Sequence, residues 1–118
     1  MCFEVEFYVD DRGDVPMRDF LESLRTSQPI LYRLATDDLL KLADSHFHGP
    51  PLTQQVDSSH GIYELRVGRA DIARVFFFFR VGRKIIVTNG YVKKRQKLDR
   101  REIERARRLK FDWEERQS

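Results

Sequence analysis

This chain is poor in sulfur and histidine and has no long apolar run. Cys2 is the only cysteine among 118 residues, so no internal disulfide can form, and a reducing, cytoplasmic setting is the natural reading. No stretch approaches the roughly 18 apolar residues that a membrane helix needs. The opening MCFEVEFYVDD has neither the basic start nor the apolar centre of a secretory leader. Three histidines are present, His46, His48 and His60. They are loop residues by context, and a metal site would need three or four ligands, each held in place by a further hydrogen-bond partner. The expectation is therefore no metal and no cofactor. No glycine-rich phosphate loop and no local nucleophile motif occurs either.

What remains is charge and aromatic content. The length suits a single domain over residues 1–118. With 41% hydrophobic and 12% aromatic residues the chain can build a small core. Residues 1–60 carry five basic and eleven acidic side chains, a net of −6, and residues 61–118 carry 17 and eight, a net of +9. Such asymmetry points to a polyanion partner. Ten of the 22 lysines and arginines fall in residues 89–110. That run can be a solvated helix face or a surface that follows phosphates.

Residues 2–9 alternate, with Phe3, Val5, Phe7 and Val9 on one face, which predicts a half-buried strand. A helix should follow, with Pro16 in its first turn and Met17, Phe20, Leu21 and Leu24 at helical spacing. A second helix near Pro29 should bury a stripe of Ile30, Leu31, Leu34 and Ala35 and later Leu39 and Leu42. Residues 48–61 read as a loop. Three strand-like runs come next: IYELRVG, IARVFFFFR and KIIVTNGYV. Phe76 to Phe79 are too apolar on both faces for a strand with a wet side, so that strand should be central and covered on both faces. RVGR should be a tight hairpin, with Gly82 at positive φ. Asp99 and Glu102 suggest a capping box at the start of a last helix, with Ile103, Ala106, Leu109 or Lys110, and Trp113 inside. The order β-α-α-β-β-β-α describes an α+β domain, a curved antiparallel sheet on a helix pair.

Two arginines stand out within the strands. Arg66 shares a face with Ile62 and Glu64, and Arg74 a face with Ile72, Phe76 and Phe78. Charge inside such strands is costly unless it is paired or reaches a wet cleft. One reading pairs them with carboxylates such as Glu64 or those of the first strand. The other holds two guanidinium groups in a concave surface, where a phosphate is gripped bidentate. Tyr91 and Lys93 should share one face of the next strand, an aromatic ring beside cations that suits a stacked base. A strand end with solvated lysines fits the same letters.

YELRV, then ARVFFFFRVGRKIIVTNGYVKKRQK, then REIERARR, in that order and spacing, resemble the HigB-type, phage-derived branch of the RelE family of toxins from type II toxin–antitoxin pairs. The resemblance covers residues 62 to about 108, and the first strand and helix also fit. It implies a ribosome-dependent endoribonuclease that cuts mRNA without a metal and inhibits translation. It implies catalytic roles for Arg66, Arg74, Lys93 and Lys94, and RNA-binding roles for Tyr91, Arg95 and Lys97. It also implies a cognate antitoxin with a helix-turn-helix domain, a toxin–antitoxin hetero-oligomer, and mRNA on the ribosome as the target. Ala73 stands where that branch prefers tyrosine, Arg95 where it has threonine, and Leu98-Asp99 where it has threonine-proline. Two other functions share the same letters: a non-catalytic nucleic-acid-binding protein of phage origin, and a ParE-like toxin that inhibits gyrase.

Overall fold

The phenylalanine run organises the molecule. In the computed structural model, which describes residues 2–69, 71–93 and 99–117, Ile72–Arg80 is the middle strand of five. Phe76, Phe77 and Phe78 are buried. In chain order the elements are β1 (Glu4–Phe7), α1 (Pro16–Ser27), α2 (Pro29–Lys41) and a 3₁₀ turn (Ser45–Phe47). Then come β2 (Thr53–Asp57), β3 (Ile62–Val67), β4 (Ile72–Arg80), β5 (Lys84–Lys93) and α3 (Arg100–Gln117). The sheet order is β1-β5-β4-β3-β2, so this is a small α+β fold of the RelE-like kind.

Period-two alternation on a central strand sends neighbouring side chains into two different cores. On one face Leu65, Val67, Val75, Phe77, Ile85 and Val87 pack against Met17 and Leu24 of α1 and Leu31, Ala35 and Leu39 of α2. On the other, Ile62 and Phe76 meet Ile103 and Ala106 of α3. Further along that helix Leu109 and Trp113 pack on Tyr8, Phe78 and Ile86. The phenylalanine strand is thus covered on both faces, as its composition requires.

Several expectations change. Residues 48–61 contain β2, an edge strand antiparallel to β3. Its sequence TQQVD is polar because only one edge and part of one face are covered, so the usual strand signal is weak. The sheet is mixed rather than wholly antiparallel, because β1 runs parallel to β5, with Val5 opposite Ile85. Ile30 and Leu34, expected in the buried stripe of α2, are exposed at 78% and 41%. The rest of the expected stripe, Leu31, Ala35 and Leu39 within the helix and Leu42 just past it, is buried, a narrower face that satisfies the same spacing. Pro16 and Pro29 both lie in the first turns of their helices. Gly82 does take positive φ, at 82°, and Arg83 follows it at 58°. Asp99 caps α3 by accepting from the Arg101 N–H at 3.0 Å. Glu102 does not complete a capping box; it faces Asn89 of β5, whose amide donates to the Glu102 carbonyl at 3.2 Å.

Candidate active site

Register decides which charged side chains can meet. Arg66 of β3 lies directly opposite Arg74 of β4, and Arg74 lies opposite Tyr91 of β5. Directly opposed residues point to the same face of a sheet. One row thus crosses three strands on the face that α3 partly covers.

β5 enters that row only because of a bulge. Phe77 pairs with Val87 and Val75 with Gly90, so one residue of β4, Phe76, stands against two of β5, Thr88 and Asn89. The extra residue reverses which side chains of β5 face which way. Before it, Ile86 points to the α3 face and Val87 to the α1 face. Beyond it, Tyr91 points to the α3 face and Val92 to the α1 face. Lys93, two residues past Tyr91, shares its face. Unbulged alternation would have sent Val92 to the arginines and Lys93 to the core. Thr88 and Asn89 at the irregularity are fully buried, and the single Thr88 hydroxyl hydrogen is shared between Asn89 Oδ1 at 2.8 Å and the Phe76 carbonyl at 3.3 Å. The buried side-chain polar atoms at the bulge are therefore satisfied.

The two arginines differ in environment. Arg66 is exposed and makes no ion pair or side-chain hydrogen bond to a described residue. Arg74 is 5% exposed and donates from Nη1 to Oε1 of the fully buried Glu64. The same oxygen accepts from Gln54 Nε2 of β2 at 2.7 Å. Of the two readings of these arginines, pairing with a carboxylate holds for Arg74 and open charge holds for Arg66. Gln54 was invisible to sequence reasoning, since it lies in the stretch read as loop.

Lys93 is half-buried. Its pKa lies below the ordinary lysine value, first because of burial and then because of the positive charge of Arg74, with Arg66 adding to it; Glu64 opposes the shift. Tyr91 stacks on Phe76, with centroids 5.9 Å apart, and its hydroxyl accepts from the Asp99 N–H at 3.2 Å. Burial pushes its pKa up, against the lowering effect of that N–H and of Arg74. Tyr91 thus joins the sheet to the start of α3. Lys94, Arg95 and Lys97 lie outside the described residues.

Chemically, this face offers a cationic, hydrogen-bonding surface with one ammonium that gives up its proton more readily than usual. It can hold a phosphodiester. Among the described residues no three His, Cys, Asp or Glu side chains gather closely enough to hold a metal ion. A groove lined by Val56, Asp57, Ser58, Arg100, Ile103 and Arg107 runs beside the site, between β2 and α3. It contains none of Arg66, Arg74 or Lys93. Its floor is closed by Asp57, buried and bonded to Arg107 and to His60 Nδ1. His60 serves there as a partner for a carboxylate. No described helix is long and apolar enough to cross a membrane.

The fold and the cationic row define a small α+β protein of RelE-like type. The family model described as "Phage derived protein Gp49-like" matches residues 21–110, and the chain belongs to that family. The family is of the RelE-like toxin type, related to the toxins of toxin–antitoxin pairs. No curated protein matches the chain significantly. The matched segment includes β2 to β5 and most of α3, hence every described residue of the row.

Proposed function

We propose that this protein is a HigB-type toxin of a type II toxin–antitoxin pair, a metal-independent endoribonuclease that cuts mRNA on the ribosome and inhibits translation in the cytoplasm. The observation that carries the reading is the bulged register, which brings Lys93 to the face of Arg66 and Arg74 and leaves its ammonium destabilised by both.

RNA carries its own nucleophile, so the protein has three tasks. It must align a 2′-hydroxyl with the adjacent phosphorus, stabilise charge on the phosphorane, and move two protons. A neutral Lys93 takes the proton from the 2′-hydroxyl as that oxygen bonds to phosphorus. The 5′-oxygen leaves with a proton from a second acid, a role suited to Lys94, and a 2′,3′-cyclic phosphate remains. Arg66, exposed and unpaired among the described residues, is the fork that meets the non-bridging oxygens. Arg74 lies beneath, half neutralised by Glu64, and contributes field rather than a free fork. Tyr91, Arg95 and Lys97 guide the strand.

The partner in this reading is a cognate antitoxin with a helix-turn-helix domain, which holds the toxin in a hetero-oligomer until it is released. The test is induced expression with mapping of mRNA 5′ ends, comparing wild type with Arg66→Ala. Arg66 is the better choice than Arg74 because its exposure leaves folding untouched when it is truncated. New 5′ ends within coding regions that vanish in the variant support the reading. A wild type that leaves mRNA whole on translating ribosomes sinks it. Loss of supercoiling activity of gyrase in its place would identify a gyrase-directed toxin.

A further inference from the structure

Glu64 is a fully buried acid on the arginine face of β3, and its bonding is lopsided. Oε1 accepts from both Arg74 Nη1 and Gln54 Nε2. Oε2 has no partner among the described residues, and neither does Nε of Arg74, although both atoms are buried. An arginine and a carboxylate can form two parallel bonds, and here they form one. Each unpaired buried polar atom costs stability, because it has lost its water without gaining a partner. A pair of apolar side chains of similar volume would be as stable or more so. Stability alone therefore does not account for this pair.

Its placement does. Through one oxygen Glu64 spans three strands, from Gln54 on β2 to Arg74 on β4, and sets the height of the Arg74 guanidinium beneath Arg66 and Lys93. It also puts a single negative charge under three cations. The other described groups facing this charge cluster are Tyr91 and, over its hydroxyl, Asp99 at the start of α3. We propose that Glu64 is a positioning residue of this site, which fixes Arg74 in register with Arg66 and balances the positive charge under Lys93. The proposal rests on the ribonuclease reading for its consequence in turnover, while its electrostatic part can be measured without turnover.

The first measurement is an NMR titration of Lys93, assigned with the Lys93→Met variant, in wild type and Glu64→Gln. Glutamine keeps the size and an acceptor for Arg74 but removes the charge. The Lys93 midpoint is expected to fall in Glu64→Gln, because Glu64 is the group that opposes the lowering. The second is cleavage on ribosomes. A neutral amide holds Arg74 less firmly than a carboxylate does, so Glu64→Gln is expected to lose about 10²-fold in kcat with KM little changed, as misplacement by about 1 Å does, and Glu64→Asp to recover part of it. The third variant, Glu64→Leu with Arg74→Leu, removes both charges and folds without a buried orphan; it is expected to be as slow as Glu64→Gln. An unmoved Lys93 midpoint overturns the proposal. So does a double variant that cuts like wild type, since the pair would then be merely structural. A wild type that cuts nothing while the midpoint moves sinks the ribonuclease reading and upholds the charge balance at Glu64.

Discussion

Arg66 and Arg74 are cross-strand partners on one face of the sheet, and among the described residues only Arg74 has an ionic partner. Arg74 is buried against Glu64, while Arg66 faces solvent. Like charges directly opposite each other destabilise a strand pair. The carboxylate beneath Arg74 offsets that repulsion, and the exposure of Arg66 lets water screen the rest. The pair therefore divides its labour, with the outer guanidinium available for an anion and the inner one fixed.

Arg66→Ala is expected to reduce ribosome-dependent cleavage by about 10²-fold, near 3 kcal/mol, the cost of losing one donor to a developing oxyanion. The thermal midpoint should stay within the small range of surface substitutions. Single-turnover cleavage beside a calorimetric scan checks both halves. A large drop in the thermal midpoint would mean that Arg66 serves the fold.

Cleavage should rise with pH and reach its plateau below the pH at which an ordinary lysine loses its proton. The sign follows from the direction of the shift. A base works only when neutral, and a lowered pKa gives Lys93 a larger neutral fraction at any pH below its midpoint. Lys93→Met should abolish the ascending limb. A profile that keeps its shape in that variant assigns the proton transfer elsewhere.

Gly90 is needed for packing. A Cβ there would lie 2.7 and 2.8 Å from ring atoms of Phe20 on α1, and 3.2 Å from the Arg74 carbonyl. Gly90→Ala should destabilise the fold by about 1–3 kcal/mol, the usual cost of overpacking. It should also loosen the site, since Gly90 follows the bulge and precedes Tyr91. Urea denaturation gives the first effect, and the affinity for a short RNA gives the second.

Tyr8 should make stability fall at high pH. Burial, helped by the hydrogen bond to Asp112, raises its pKa from 10.0 to about 12. Between those values the unfolded chain has lost the phenolic proton and the folded chain has kept it, so stability declines as pH rises through that window. The contribution is fully present below pH 10 and gone above about 12. Tyr8→Phe should flatten the decline, as measured by urea midpoints across that range.

Much of this molecule was legible in local patterns. The run Phe76–Phe79 demanded a strand covered on both faces, and β4 is that strand. Period-two spacing placed Glu64 and Arg66 together on β3, and Arg74 with Phe76 and Phe78 on β4. The proline positions opened both N-terminal helices, and the inner face of α3 followed from Ile103, Ala106 and Trp113. These are properties of short segments, set by backbone geometry and by which side chains avoid water. The absence of a second cysteine likewise excluded an internal disulfide with no structure at all.

The rest depended on partners distant in the chain. Whether Arg74 was open or paired turned on how deeply α3 and the sheet enclosed Glu64, and local spacing does not carry that information. Ile30 and Leu34 matched a helical stripe, but the angle at which α2 meets the sheet left them outside. β2 is polar and gains its strand character from β3 rather than from its own residues. Above all, one extra residue in β5 turned Tyr91 and Lys93 toward the arginines. A bulge is a mismatch between two strands, so it exists only once they pair.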